Sequence, residues 1–371
     1  MAYTVGSKQV IKDDRTTQLD TLTVQGGNYL EISEVALAQP NQMGDNYAFT
    51  AGGRGSPPSN PYVTAIDKWP YTQTSGTATD VGDLTEAKQR TSGHTDGSNG
   101  YTSGGYIQPP TSTGSTAIEK FPFAISSGTA TSFGTIFTPP ATGQHHTGAG
   151  SHSSFTDGFL AGGYDTTAGN ARLSQISKFP FSSPVSSVTD TGDLLAIGLA
   201  LASASTASEG FNAGFYAPDP ASAPYQPAGP GYPGWGTRLI QKFPFAISGG
   251  TATDVGSLTV PRLDATGHTS SDYGFIAGGT GPNPPHAYGT YNTTIEKYPF
   301  AISSGNSTDV GDVNSPYTDA RAGNSGTSNA HRSGNKGTNI EKFPFAISSG
   351  TATSIGNLTI ARWVASNNVE D

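Results

Sequence analysis

Apolar and polar positions along this chain alternate in short runs, and the runs recur. Residues 340–360 read IEKFPFAISSGTATSIGNLTI. Close copies stand at residues 118–136 (IEKFPFAISSGTATSFGTI), 295–313 (IEKYPFAISSGNSTDVGDV), 240–258 (IQKFPFAISGGTATDVGSL) and 66–84 (IDKWPYTQTSGTATDVGDL). A weaker copy occupies residues 176–194 (ISKFPFSSPVSSVTDTGDL). The Lys-aromatic-Pro-aromatic signature begins at Lys68, Lys120, Lys178, Lys242, Lys297 and Lys342, at spacings of 52, 58, 64, 55 and 45 residues. Period-two alternation inside a repeat of about 50 residues predicts a propeller built from small antiparallel sheets.

Each unit divides into four predicted strands. The first closes in Gly-Gly, as in residues 47–53 (YAFTAGG), 100–105 (GYTSGG), 158–163 (GFLAGG) and 273–279 (YGFIAGG), with altered copies at 210–215 (GFNAGF) and 330–335 (AHRSGN). A variable loop leads to the Ile-x-Lys-aromatic-Pro-aromatic strand, whose Pro belongs at a strand end or an unpaired edge. A Ser-Gly turn leads to the Thr-Ala-Thr-Asp-Val-Gly strand. The last strand runs from Leu-Thr to Gly-His-Thr, as in residues 258–269 (LTVPRLDATGHT). The C-terminal LTIARWVASNN, residues 358–368, matches residues 258–268 and sets Asn368 in the place of His268. The chain end is therefore expected to supply the innermost strand of the blade begun by residues 47–53, closing the ring and removing a free sheet edge.

The expected fold is all-β: a six-bladed propeller over residues 45–371 behind a short N-terminal β arm, residues 1–44. Alternating stretches at residues 3–11 and 19–24 predict strands in the arm. Residues 28–38 predict a third, with a short helical turn near residues 34–38. The arm reads either as a strand packed on the first repeat or as an anchoring and oligomerisation segment.

This order of elements resembles the kelch repeat: a hydrophobic strand closing in Gly-Gly, a loop, an aromatic-bearing strand and a further strand. The resemblance covers about residues 45–371 and departs from the usual pattern in lacking the late Trp and the Tyr-Asp-Pro. The consensus wording FPFAISSGTATDVGDLT also resembles repeat proteins of marine bacteriophages, which implies a virion- or tail-associated structural protein.

Composition agrees with many short strands: 49 Gly, 26 Pro and only 13% charged residues. The 17 Phe, 16 Tyr and 3 Trp supply a core and argue against low-complexity disorder. A net charge of -9 without a basic block argues against a nucleic-acid partner or an anionic membrane surface. No apolar run of 18 residues predicts a membrane-spanning helix. The absence of cysteine removes disulfides, thiolate catalysis and Cys-based metal sites. The N-terminal MAYTVGSKQVIKDD has no apolar signal core, while the composition suits an exposed surface. A virion protein released by lysis reconciles the two. The alternative is a secreted or cell-surface chain whose export signal is unrecognised.

Counting ten residues back from each Gly-Gly position reaches Gln42, His94, His152, Ala204, His268 and Asn324. His94, His152 and His268, with Asn324 and Asn368, are expected to line the central channel. Three imidazoles suit a divalent cation, but no acidic residue recurs at their height, so no metal or other cofactor is expected. The recurring lysines, together with Asp80, Asp190, Asp254 and Asp309 on the following strand, predict ion pairs within or between blades. No Gly-x-Ser-x-Gly, His-Glu-x-x-His or P-loop motif occurs, and no catalytic residue is expected.

The loops after the Gly-Gly strands are rich in Pro, Gly and Tyr and share one face by topology. Tyr62, Tyr106, Tyr225, Tyr232, Trp235, Tyr288 and Tyr291 are the predicted ligand-binding residues of that face. The leading expectation is a non-enzymatic structural or attachment protein of a phage particle, and a homo-oligomer. Its arm would meet other virion proteins, and its loop face a host glycan, a host protein or a neighbouring subunit. A carbohydrate-binding adhesion propeller is the alternative, and a propeller enzyme the third reading.

Overall fold

The computed structural model describes residues 3–5, 8–11 and 43–369, apart from 57–58, 60, 108–112, 137–144, 167–170, 200, 218–234, 284–286, 316–321, 335 and 364. The chain divides into two compact units, Met1–Gln39 and Pro40–Asp371. In the first, Tyr3–Val5 and Lys8–Ile11 form an antiparallel hairpin. The strands expected at residues 19–24 and 28–38 lie outside the described residues.

The second unit is a six-bladed β-propeller, with no helix among the described residues. Each blade is built on a four-stranded antiparallel meander, and the sheets of the fourth and sixth carry one further short strand, Tyr216–Ala217 and Arg54–Gly55. The first contains Ser366–Val369, Tyr47–Ala51, Ala65–Pro70 and Thr79–Asp83, in order from the axis outward. The fifth contains Thr266–Thr269, Tyr273–Ala277, Thr294–Pro299 and Thr308–Asp312. The innermost strands neighbour one another in the order Ser92–Thr95, Gly150–Ser153, Ala202–Ser205, Thr266–Thr269, Ala322–Ser325, Ser366–Val369 and back to the first. The recurrent proline ends the third strand of every blade, at Pro70, Pro122, Pro180, Pro244, Pro299 and Pro344, where its missing N–H breaks no ladder.

The core is a set of layers between blades. Phe49 of the first blade meets Phe121 and Phe123 of the second at ring-centroid distances of 5.8 and 4.9 Å. Ala48, Trp69 and Tyr71 of the first blade pack with Ile340, Ile355 and Leu358 of the sixth. Both aromatics of the Phe-Pro-Phe signature thus leave water. Each contributes roughly 1.5–3 kcal/mol by burial.

Backbone seams join the blades at their outer rim. Ser257 N donates to Gly305 O at 2.8 Å, and Ser307 N returns a bond to Ser257 O at 2.8 Å. The same exchange joins the sixth sheet to the first, through Asn357 N to Gly76 O at 2.9 Å and Ala78 N to Asn357 O at 2.7 Å. Glycine makes this approach possible. At Gly256, φ is +154°, and an added Cβ would lie 2.6 Å from Gly305 O.

Polar plugs sit deeper, behind the third strands. The residue after the recurrent isoleucine is buried in all six units: Asp67, Glu119, Ser177, Gln241, Glu296 and Glu341. Asp67 receives Arg362 at 2.7 Å, Glu119 pairs with Lys88, and Glu296 pairs with Arg262. Each of these three cations ends a Leu-Thr-x-x-Lys/Arg segment that enters from the preceding unit. Where the third-strand residue is neutral, the corresponding sequence position holds no cation: it is Pro140 in the segment before Ser177 and Gly198 in the segment before Gln241. His146 fills the gap at Ser177, donating from Nδ1 to Gly162 O at 2.8 Å with Nε2 3.0 Å from the Ser177 hydroxyl. Leu195 N donates to Gln241 Oε1 at 2.8 Å. In the sequence before Glu341, Tyr317 holds the position that corresponds to Lys88, Arg262 and Arg362. Arg332, directly opposite Glu341 in register, approaches to 3.5 Å instead. Burial lowers the Arg332 guanidinium to about 10 and raises the Glu341 carboxyl.

The recurrent aspartates correct one expectation. Asp80 stands opposite Asp67 in register, because a bulge between Ile66 and Asp67 shifts the pairing. Its carboxylate accepts from Gly82 N at 3.1 Å, and Asp190, Asp254 and Asp309 do the same for Gly192, Gly256 and Gly311. The aspartates therefore cap the seam glycines. Lys68 donates to Phe123 O at 2.9 Å and lies 4.0 Å from the Tyr47 ring centroid, while Lys242 meets Glu209 at 2.9 Å.

Two outcomes follow for stability. Glu296→Leu should cost about 3–5 kcal/mol in urea unfolding, because Arg262 is left buried and unpaired. Arg262→Met with Glu296→Leu should recover most of that loss. A chain ending at residue 364 should melt at a lower temperature. Its Tyr47–Ala51 amides should exchange hydrogen faster than in the full chain, and unchanged exchange there would show that the last strand contributes nothing to holding the ring.

Candidate functional site

Gly-Gly turns place one residue of each blade at the same face. Gly278 and Gly279 adopt φ of +67° and +103°, and a Cβ on Gly279 would meet Leu263 O at 2.8 Å. The chain therefore turns sharply off the second strand and presses against the segment entering the same blade. The residues that follow each turn are Arg54, Tyr106, Tyr164, Tyr216, Thr280 and Lys336.

Three of them, Tyr106, Tyr164 and Tyr216, line a cavity of about 480 Å³ together with Gln89, Arg90, Arg172, Leu199, Leu263 and Asp264. Gln89, Arg90, Leu199, Leu263 and Asp264 come just before innermost strands, so the cavity lies at the ends of those strands, with walls from four consecutive blades. Arg90 and Asp264 hold equivalent places and both have left-handed backbone, φ +58° and +53°. Glycine takes that conformation without steric cost, as Gly148 does at φ +68° in the third blade. Non-glycine residues held there are a form of strain that concentrates at functional sites. Across the same face, Arg54 and Lys336 lie 5.0 and 4.7 Å from the Trp363 ring centroid.

The predicted binding residues are distributed unevenly around this mouth. Tyr106 is in the wall. Tyr62 supports it, with ring centroids 6.5 Å apart, and its hydroxyl accepts from Gln89 Nε2 at 2.8 Å. Burial raises the Tyr62 phenol above its ordinary value. Tyr291 is about one third exposed, in a strand paired with Thr280. Trp235 and Tyr288 lie in strands, Trp235–Pro244 and Ala287–Tyr291. Tyr225 and Tyr232 lie outside the described residues. Tyr164 and Tyr216 were not anticipated, although they stand at the same offset from Gly-Gly as Tyr106.

The histidines expected along the channel have no exposed surface to offer a ligand. His94 donates from Nδ1 to His152 O at 3.0 Å, since a carbonyl only accepts, and Nε2 takes the Ser103 hydroxyl at 2.8 Å. Its ring meets Phe179 edge-on at 5.1 Å. His152 lies 2.9 Å from Ser205 Oγ and 3.1 Å from Asn212 Oδ1. His268 donates to Asn324 O at 3.3 Å and lies 2.9 Å from Thr266 Oγ1. Asn368 Nδ2 donates to His94 O at 2.7 Å and to Tyr101 O at 2.9 Å. Asn324 is buried and its amide has no hydrogen-bond partner among the described residues. His94, His152, His268 and Asn368 thus stitch their innermost strands to the next. Thr95 N to Ser153 Oγ at 3.1 Å, Ser205 N to Thr269 Oγ1 at 3.1 Å and Thr269 N to Ser325 Oγ at 2.9 Å add a second row. Among the described residues no group of three His, Cys, Asp or Glu side chains is placed to hold a metal ion.

No family model matches the chain, and no curated protein matches it in sequence.

Burial holds the imidazoles neutral. It lowers His94 and His146 to about 4, and His152, His268 and His331 to about 3. In the unfolded chain they titrate near 6.5. Between pH about 6.5 and 4 the unfolded state therefore binds protons that the folded state refuses, and stability falls as pH falls. Each histidine contributes up to about 1.4 kcal/mol per pH unit in that window. Urea midpoints measured from pH 7 to 5 should drop steeply, and His94→Gln should make the dependence shallower by one proton.

Proposed function

We propose that this chain is a non-catalytic structural and attachment protein of a phage particle, with the axial mouth of its propeller as the ligand-contacting face. The observation that carries the binding role is the cavity itself. Tyrosines, arginines and an aspartate from four consecutive blades converge there, whereas the buried charges elsewhere are spent in pairs between strands. A rigid ring with one chemically diverse mouth suits recognition, because little order has to be gained on binding. The wording of the repeats supports the assignment to a particle, and residues 1–44 would serve as the anchor to other virion proteins.

A carbohydrate-binding adhesion propeller is a second reading of the same mouth, favoured by its aromatic wall. Location separates the two. Peptide mass spectrometry of purified particles should find the chain at a fixed copy number per particle. Finding it only on cells or in the medium would replace the particle reading with the adhesion reading. In both cases the labelled full chain should bind its target surface, and Tyr106→Ala with Tyr164→Ala should weaken that binding by about tenfold or more while leaving the melting temperature within a few degrees.

A further inference from the structure

We infer that the axial cavity binds an anionic saccharide, with its acid group held by Arg90 and Arg172 and its sugar rings set among Tyr106, Tyr164 and Tyr216. The inference rests on reading the mouth as the binding face and names the ligand class. Its first support is charge accounting. Four buried cations, Lys88, Arg262, Arg332 and Arg362, each face a carboxylate. Arg90 and Arg172, both in the cavity wall, face none within ion-pair distance among the described residues. Yet the chain has 28 acidic residues against 19 Lys and Arg, so acids are not scarce.

Arg172 is also oriented in advance. Its guanidinium carbon lies 4.4 Å from the Tyr216 ring centroid. Its Nε is buried without a hydrogen-bond partner among the described residues. Arg90 keeps a long side chain in a backbone conformation that Gly148 adopts at the equivalent place without strain. Two planar guanidinium forks match the oxygens of a carboxylate or a sulfate ester. Gln89 and Asp264 add amide and carboxylate groups suited to hydroxyls.

A sugar fits better than an acidic peptide. A volume of about 480 Å³ is that of a small-molecule site. Peptide capture commonly adds a strand to an open edge. The short strands at this mouth are already paired: Tyr106–Ile107 with Lys88–Gln89, Tyr164–Asp165 with Ala171–Arg172, and Tyr216 with Gly236.

The test is calorimetric titration of the full chain with a uronic-acid trisaccharide, a sulfated disaccharide, a neutral trisaccharide and a glutamate-rich peptide. One of the two acidic sugars should bind at least about tenfold more tightly than the neutral sugar, and more weakly as salt rises. Which of the two binds identifies the acid group as carboxylate or sulfate. Arg172→Gln should weaken binding by about tenfold or more. Arg90→Gly should do the same without lowering the melting temperature, because glycine suits that backbone. Equal affinity for the neutral sugar overturns the anionic assignment and leaves the binding face standing. Unchanged affinity in both variants, binding of the peptide alone, or no binding of either acidic sugar overturns the inference. Absence of the chain from particles, with these affinities intact, overturns the particle reading alone.

Discussion

Backbone reaching backbone at the outer rim is the contact on which the propeller depends. An outermost strand would otherwise present a row of unpaired amides and carbonyls, which invites association with another chain. Here each outer strand passes part of that row to the turn of the next blade, as Ser257 does with Gly305 and Ser307. The approach tolerates no side chain, so Gly256 stands where a Cβ would meet a carbonyl oxygen. Ile302 packs over the same glycine. The wording Ala-Ile-Ser-Ser-Gly before the turn and Asp-Val-Gly after it recurs because the two segments meet each other across a blade boundary.

Inside that rim, the polar plugs follow a rule that low-dielectric interiors impose. A buried charge without a partner is costly, and a buried neutral group facing a charge is little better. The six units accordingly vary in matched sets. Acids at Asp67, Glu119, Glu296 and Glu341 have cations, while Ser177 and Gln241 have His146 and a backbone amide. Three of the pairs join an entering segment to the third strand of its blade, and the fourth, Arg332–Glu341, joins neighbouring strands of the sixth blade. The neutral histidines of the innermost strands obey the same rule, donating to the carbonyls of the following strand.

The seams repeat, and the mouth does not. Positions that hold the ring together are nearly identical from unit to unit. The residue after Gly-Gly is tyrosine in three consecutive blades and arginine, threonine or lysine in the others. A symmetric scaffold thus presents an asymmetric surface: a tyrosine-arginine cavity over blades two to five, and a Trp363 ring flanked by Arg54 and Lys336 over the seam of blades six and one.

Much of the fold was legible in the amino-acid sequence. Repetition predicted the number of blades, the terminal prolines and the step by which the tail of one unit becomes the inner strand of the next. These are local properties, since alternation, turn residues and proline act within a few positions. That Tyr106 stands at the loop face was legible for the same reason, and the places of Tyr164 and Tyr216 beside it in the cavity wall would have been had the residue after Gly-Gly been compared across units. What only the tertiary structure decided is which neighbour each side chain meets. Period two assigns His94 to a face of its strand, but the inner strands are so closely ringed that this face meets another blade. A one-residue bulge turned Asp80 away from Lys68 toward a glycine amide. Arg362 reaches Asp67 across almost the whole chain length. Such contacts join residues far apart in the sequence and leave no mark at short range.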